Sequence, residues 1–73
     1  MKTIVYPVIA TYVDDNFREL NNVYPTAESA IAWAKKIAQD EGICEVEVTR
    51  AELTEEYGLH WLADIYEEKH EDR

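Results

Sequence analysis

Residues 26–49, TAESAIAWAKKIAQDEGICEVEVT, contain a helix pattern followed by a strand pattern, and together these patterns decide the fold. Thr26 is a favourable N-cap, and Glu28 places a negative charge near the positive end of the helix dipole. Gly42 lies where a left-handed C′ residue ends many helices. These signals predict a helix over residues 26–41. Its apolar stripe is mostly alanine, which lets a helix lie close on a sheet, and consists of Ala27, Ala30, Ile31, Trp33, Ala34, Ile37 and Ala38.

The strand pattern occupies residues 43–49, ICEVEVT, in which apolar and polar side chains alternate. The predicted inward side chains are Cys44, Val46 and Val48, and the predicted outward ones are Glu45, Glu47 and Thr49. Beyond Arg50 the alternation changes phase at Ala51 and Leu53, which indicates a bulge near Arg50.

Two further strands are predicted before the helix. Residues 3–13, TIVYPVIATYV, are rich in β-branched and aromatic residues and are apolar on both faces. Because Pro7 cannot donate to a ladder, its amide side is expected at a sheet edge or a bulge. After a turn at residues 14–16, residues 17–24 return as a weaker strand. Alternation along this second strand places Phe17, Glu19, Asn21 and Val23 on the same face.

Residues 59–67, LHWLADIYE, fit either a strand or a helix, and the strand is favoured. As a strand that follows a turn at residues 55–58, they place Leu59, Trp61, Ala63 and Ile65 on one face. As a helix they would be capped by Thr54, with a stripe of Tyr57, Trp61, Leu62, Ile65 and Tyr66. Gly58 early in that helix would cost about 1 kcal/mol. Residues 68–73 are expected to be frayed.

These elements predict an α+β fold, a single small ββαββ domain over residues 1–73 with one helix packed on a small antiparallel sheet. One helix covers one face, so the other face, with Val5 and Ile9, is expected to be open. An apolar sheet face beside acidic residues is typical of an interface. We therefore expect a homodimer, or a monomer stabilised by a partner.

The composition limits the location of the protein. Cys44 is the only cysteine, which excludes an intrachain disulfide and favours a reducing cytoplasm. The N-terminal sequence lacks a signal-peptide pattern, and no stretch approaches the roughly 20 apolar residues of a membrane span. A cytoplasmic protein is expected.

The net charge of −9 belongs to the second half of the chain. Residues 1–36 carry four acidic and four basic side chains, whereas residues 37–73 carry twelve acidic and three basic ones. Such a distribution predicts one strongly negative surface. That surface would repel nucleic acid and anionic membrane and attract a basic protein partner.

No set of residues in the sequence predicts catalysis. Cys44 with His60 as its base lacks an oxyanion element and a third group. His60 and His70 match no metal-ligand spacing, and a single cysteine does not make a zinc site. We expect no enzymatic activity, no metal and no cofactor.

The acidic side chains are the stronger candidates. Glu45 and Glu47 are two residues apart on one strand, which places them about 6.6 Å apart on one face. A paired strand carrying Asp64, Glu67 and Glu68 would extend them into an array that imitates a phosphate track. The alternative is a solvated face that keeps a small protein soluble. The candidate partner-binding residues are Glu45, Glu47, Glu52, Glu55, Glu56, Asp64, Glu67 and Glu68.

Two resemblances point to proteins of phages or mobile elements. The stretch from Thr26 to Glu67, with its capped Ala-rich helix, its strand and turn, and its Gly-Leu-x-Trp-Leu-Ala strand, resembles small phage-encoded anti-CRISPR proteins. That resemblance implies a non-enzymatic protein in the host bacterial cytoplasm that binds the nucleic-acid-recognising surface of a CRISPR effector complex.

Residues 6–9, Tyr-Pro-Val-Ile, together with the helix TAESAIAWAKKIA, are similar to the partial RNase-H-like domain of HicB-type antitoxins. The Pro-Asp-x-x-Gly-Cys turn of that family is absent here. This second resemblance implies binding to a small basic RNase toxin. The leading hypothesis is a non-enzymatic acidic inhibitor of a basic, nucleic-acid-binding surface, with an antitoxin as the alternative and a minor enzyme as the alternative from another class.

Overall fold

The computed structural model describes residues 2–71 and confirms the α+β ββαββ architecture. The elements are β1 (Thr3–Tyr12), β2 (Arg18–Tyr24), α1 (Ala27–Ile37), β3 (Ile43–Thr54) and β4 (Gly58–Lys69). The strands form one antiparallel sheet in the order β2-β1-β3-β4. Helix α1 packs on one face of this sheet, against β1, β3 and β2.

Helix α1 begins as predicted and ends earlier. The Thr26 hydroxyl accepts a hydrogen bond from the Ser29 backbone N–H at 3.2 Å. At the other end the prediction of a left-handed Gly42 is wrong, because Ala38 caps the helix in a right-handed conformation. The backbone N–H groups of Gln39 and Asp40 donate hydrogen bonds to the carbonyl oxygens of Lys36 and Ile37, three residues earlier. These bonds tighten the end of the helix into a 3₁₀-type turn.

The core lies between α1 and the two inner strands. Two helix alanines, Ala30 and Ala34, and the C-cap residue Ala38 are at most 1% exposed. They face a layer of small side chains that are also fully buried, namely Val8, Ala10, Val46 and Val48. Larger residues close the rim of this core: Tyr6, Tyr12, Tyr24, Ile31, Trp33, Ile37 and Tyr66. Because the central residues are so small, the helix sits close to the sheet.

Strand β1 is an inner strand, so the expectation of a sheet edge at Pro7 is wrong. Between the Val5–Ala51 and Val8–Val48 pairs, residues 6 and 7 of β1 have no paired residue on β3. Pro7 pairs instead with Val23 of β2. A register shift in the β1–β2 ladder follows directly, between Val8 and Ile9. The alternative expectation, an irregularity near Pro7, agrees with this pattern.

The same irregularity changes the phase of β2. Leu20 pairs with Ile9 and Asn22 pairs with Val8, so Asn21 is the extra residue. As a result Tyr24 packs against the core, whereas Val23 is exposed.

Residues 59–67 form a strand, as favoured from the sequence. The expected bulge near Arg50 exists, but its extra residues lie in β4. The register shifts between Val48 and Thr49 and between Arg50 and Ala51 leave Ile65 and Leu62 without a partner position on β3. These two insertions break the predicted common face of Leu59, Trp61, Ala63 and Ile65.

The end of the β3–β4 pair where Glu45 faces Lys69 also differs from its prediction. A shift between Thr11 and Tyr12 makes Ile43 the buried residue, whereas Cys44 is half-buried with its Sγ 3.5 Å from the Thr11 carbonyl oxygen. Strand β4 extends through Lys69, into the segment for which fraying is expected. Residues 72–73 of that segment lie outside the described residues.

Candidate partner-binding surface

The sheet face opposite α1, called the open face here, carries four of the eight candidate acidic residues. Because Val8, Val46 and Val48 point toward the helix, the side chains that alternate with them point away. The open face residues that the register assigns include Ile9 and Thr11 on β1, Arg18 and Leu20 on β2, Glu45, Glu47 and Thr49 on β3, and Trp61, Asp64, Glu67 and Lys69 on β4.

Three carboxylates converge on the open face. Glu47 lies directly opposite Glu67, and Glu45 is two residues away on the same strand as Glu47. The strand repeat alone would separate Glu45 from Glu47 by about 6.6 Å. Their side chains lean together instead, so that oxygens of Glu45, Glu47 and Glu67 lie within 4.8 Å of one another. Such oxygens suit a hard cation, but exposed acidic groups of this kind are common without one.

Arg18 partly neutralises this acidic cluster. Its Nη2 donates to Glu47 Oε2 at 2.5 Å, reaching from β2 across β1 to β3. The hydrogen bond and the charge of Glu47 raise the pKa of the Arg18 guanidinium. The Arg18 side chain is nevertheless 58% exposed, so this is a surface ion pair of modest strength.

Glu45 has a raised pKa. The first cause is desolvation by burial, and the charges of Glu47 and Glu67 add to it. Lys69 and Arg18 act in the opposite direction but do not cancel the shift. The folded state therefore binds the Glu45 proton more tightly than the unfolded chain does.

The substitution Glu45→Gln is expected to stabilise the protein at neutral pH. Because the folded pKa of Glu45 is raised, ionisation of this side chain destabilises the folded state. The loss of stability begins as the pH rises above the ordinary pKa of 4.5, and it is complete above the raised pKa. The Tm difference between Glu45→Gln and the wild type should therefore grow in the variant's favour from about pH 4 to pH 7. Thermal unfolding of Glu41→Gln, a change in an exposed turn, is the control. A Tm difference for Glu45→Gln that is independent of pH would contradict this assignment.

Beside the acidic cluster lies a cavity of about 330 Å³, called the Trp61 cavity here. It is lined by Ile9, Arg18, Glu47, Thr49, Trp61 and Asp64. The Thr49 hydroxyl donates to Asp64 Oδ1 at 3.1 Å, which orients that carboxylate. Trp61 is 49% exposed, so its indole forms an accessible wall. The cavity thus combines two carboxylates, an aromatic ring and an apolar side chain with the guanidinium of Arg18, which donates to Glu47.

Two buried threonines of the open face form a matched pair for mutation. Thr11 and Thr49 are 7% and 5% exposed, but only Thr49 has a hydrogen-bond partner for its hydroxyl within residues 2–71. Thr11→Val should raise the free energy of unfolding by about 1 kcal/mol because it removes a buried, unpaired hydroxyl. Thr49→Val should lower it by about 1 kcal/mol because it breaks the bond to Asp64. Urea unfolding of both variants measures this, and equal effects would contradict it.

The eight candidate residues fall into three groups rather than one array. Glu45, Glu47, Asp64 and Glu67 share the open face. Glu52, Glu55 and Glu56 lie at the β3–β4 turn, where they line a second cavity of about 480 Å³ with Lys2 and His60. Glu68 is on the helix side, because it alternates with Glu67 along the strand. There it accepts a hydrogen bond from the Tyr66 hydroxyl at 2.6 Å and lies 2.7 Å from His70 Nε2.

The structure does not bring the residues considered for catalysis together. Cys44 is near the start of β3, whereas His60 pairs with Glu52 near its other end. His70 lies beside Glu68, remote from His60 in the strand register.

No helix within residues 2–71 is long and apolar enough to cross a membrane.

Sequence reasoning missed Arg18, Thr49 and the cavity that they line. Trp61, an exposed tryptophan on the open face, is of the residue type that commonly anchors an interface, but its position there depends on the register of β4. The reach of Arg18 across β1 depends on the register of three strands, which no local pattern encodes.

Protein-family models, curated proteins and solved structures were all compared with this chain, and none matches it.

Proposed function

We propose that this protein is a non-enzymatic inhibitor that docks its open face on a basic, nucleic-acid-binding surface of a partner complex. The observation that carries the proposal is the acidic group Glu45, Glu47, Asp64 and Glu67 on a sheet face that α1 does not cover. These carboxylates lie on two neighbouring strands, so they present a compact negative surface to any partner.

Exposed apolar side chains next to the acidic group support a docking role. Leu20 is 51% exposed and Trp61 is 49% exposed, and both lie on the open face. Protein interfaces commonly combine an aromatic anchor with charged groups around it. A face that only maintained solubility would not need these apolar residues.

The acidic group also favours a different protein over a second copy of this chain. Two open faces packed together would bring eight carboxylates against only four basic side chains, Arg18 and Lys69 of each copy. Several carboxylates would then be desolvated without an opposite charge, which is costly. A basic partner supplies those opposite charges and is favoured over the homodimer.

The most concrete form of the proposal is a phage anti-CRISPR protein acting in the cytoplasm of its bacterial host. Its support is the resemblance of residues 26–67 in layout, together with the acidic face. The inhibitor would occupy the surface that the effector complex uses for nucleic acid. Association would be fast and would weaken with salt, because charge attraction would steer it.

Affinity capture from bacterial lysate tests the function, with the tagged chain and a Glu45→Lys/Glu67→Lys variant as matched baits. We expect a nucleic-acid-handling complex on the first bait only, and we expect added nucleic acid to compete with capture. Recovery of a small basic RNase instead would favour the antitoxin. Capture of neither class, or capture without competition by nucleic acid, would reject the inhibitor proposal.

A further inference from the structure

We propose that the Trp61 cavity receives an arginine side chain of the basic partner, with the guanidinium beside the Trp61 indole and the Asp64 and Glu47 carboxylates. This inference rests on the proposed function, and it names the chemical group that the open face recognises. The occupant is inferred from the complementarity of charge and shape within the cavity.

The lining of the cavity provides the contacts that a guanidinium needs. Asp64 is held by Thr49 through Oδ1, and it remains exposed to solvent and to a ligand. A carboxylate in a fixed position is a good partner for the two parallel N–H groups of arginine. The half-exposed Trp61 ring attracts a cation over its face, and tryptophan is the best of the aromatic residues at this. Ile9 gives the aliphatic part of the side chain an apolar surface.

The cavity already binds one guanidinium, that of Arg18. This internal arginine donates to Glu47 from the β2 side, and the charge of Asp64 also acts on it. Since more than half of its side chain is exposed, it is held weakly and can be displaced. The intramolecular pair therefore shows which cation the site accepts, and Arg18 acts as a competitor for the partner's arginine.

Arginine is favoured over lysine for a geometric reason. Glu47 and Asp64 belong to different strands, β3 and β4, and Trp61 forms a separate wall. A planar group with five donors can contact several of these at once, whereas an ammonium is a point charge. The cavity should therefore discriminate between two peptides of equal charge.

NMR titration with hexa-arginine and hexa-lysine tests this discrimination on the protein alone. The chain has two tryptophans, and the indole N–H signal of Trp61 is assigned by its loss in Trp61→Phe. We expect hexa-arginine to shift the Trp61 signal more than the Trp33 signal. We also expect it to bind about fivefold more tightly than hexa-lysine.

Three substitutions, each with a matched control, locate the binding. Trp61→Ala and Asp64→Asn should each weaken hexa-arginine binding about fivefold, as followed by the backbone amide signals. Tyr57→Ala and Glu55→Gln, which remove an aromatic ring and a charge at the β3–β4 turn, should change it less than twofold. Arg18→Gln should strengthen binding about two- to fivefold by removing the competitor, and more than Lys2→Gln, which makes the same change in charge.

Equal binding of the two peptides, or unchanged binding in both Trp61→Ala and Asp64→Asn, would overturn the arginine site. The proposed function would survive that result, because a diffuse acidic face can still bind a basic surface. Conversely, if the protein binds hexa-arginine selectively but captures no nucleic-acid-handling complex from lysate, the Trp61 cavity would stand as an arginine site and the proposed function would be rejected.

Discussion

Ala34→Leu is expected to lower the free energy of unfolding by about 1–3 kcal/mol. Ala34 is completely buried where α1 lies on the sheet, against the small residues of β1 and β3. A leucine at this position must adopt a strained rotamer or push the helix away from Val8 and Val48. In a domain of this size, each kcal/mol corresponds to a Tm decrease of about 4–8 °C. Urea and thermal unfolding measure both quantities.

Ala32→Leu is the matched control, because Ala32 is on the same helix but exposed. Alanine and leucine both favour the helix, so the change at residue 32 should stay within about 0.5 kcal/mol of the wild type. Similar destabilisation by the two substitutions would mean that the close approach of α1 to the sheet does not limit the size of residue 34.

The helix and the inward side chains Val46 and Val48 of β3 were predictable because their signals are local. Thr26, the alanine stripe and the regular alternation around Val46 each specify a structure within a few neighbouring residues. The irregularities were not predictable in this way. Asn21, Leu62 and Ile65 are extra residues only relative to the strands beside them, so their effect on side-chain direction depends on long-range pairing.

The candidate site was predictable to a similar extent. The outward direction of Glu45 and Glu47 followed from alternation, and the register of β4 then decided that Glu67 joins them while Glu68 does not. The Trp61 cavity required three facts that the sequence does not contain. These are the inner position of β1, the bulges of β4 and the reach of Arg18 to Glu47.

The location of the acidic group leads to the prediction with the largest effect on binding. Glu45→Lys/Glu67→Lys should slow association with the captured complex at least about tenfold at low ionic strength. Both side chains lie in the acidic cluster, and the pair spares Glu47, whose removal would also free Arg18. Reversing these two charges should also weaken the dependence of the association rate on salt, because the remaining electrostatic attraction is smaller. Stopped-flow or surface-based kinetics across a salt series measure both effects.

Asp14→Lys/Glu28→Lys separates the position of the charge from its amount. Each change from an acidic residue to lysine adds two positive units, so both double variants carry a net charge of −5 instead of −9. Asp14 lies in the β1–β2 turn and Glu28 in the first turn of α1, so neither belongs to the open face. If the open face is the docking surface, this control keeps most of the wild-type association rate. Equal slowing in both variants would mean that only net charge matters, and the acidic cluster would then serve solubility rather than recognition.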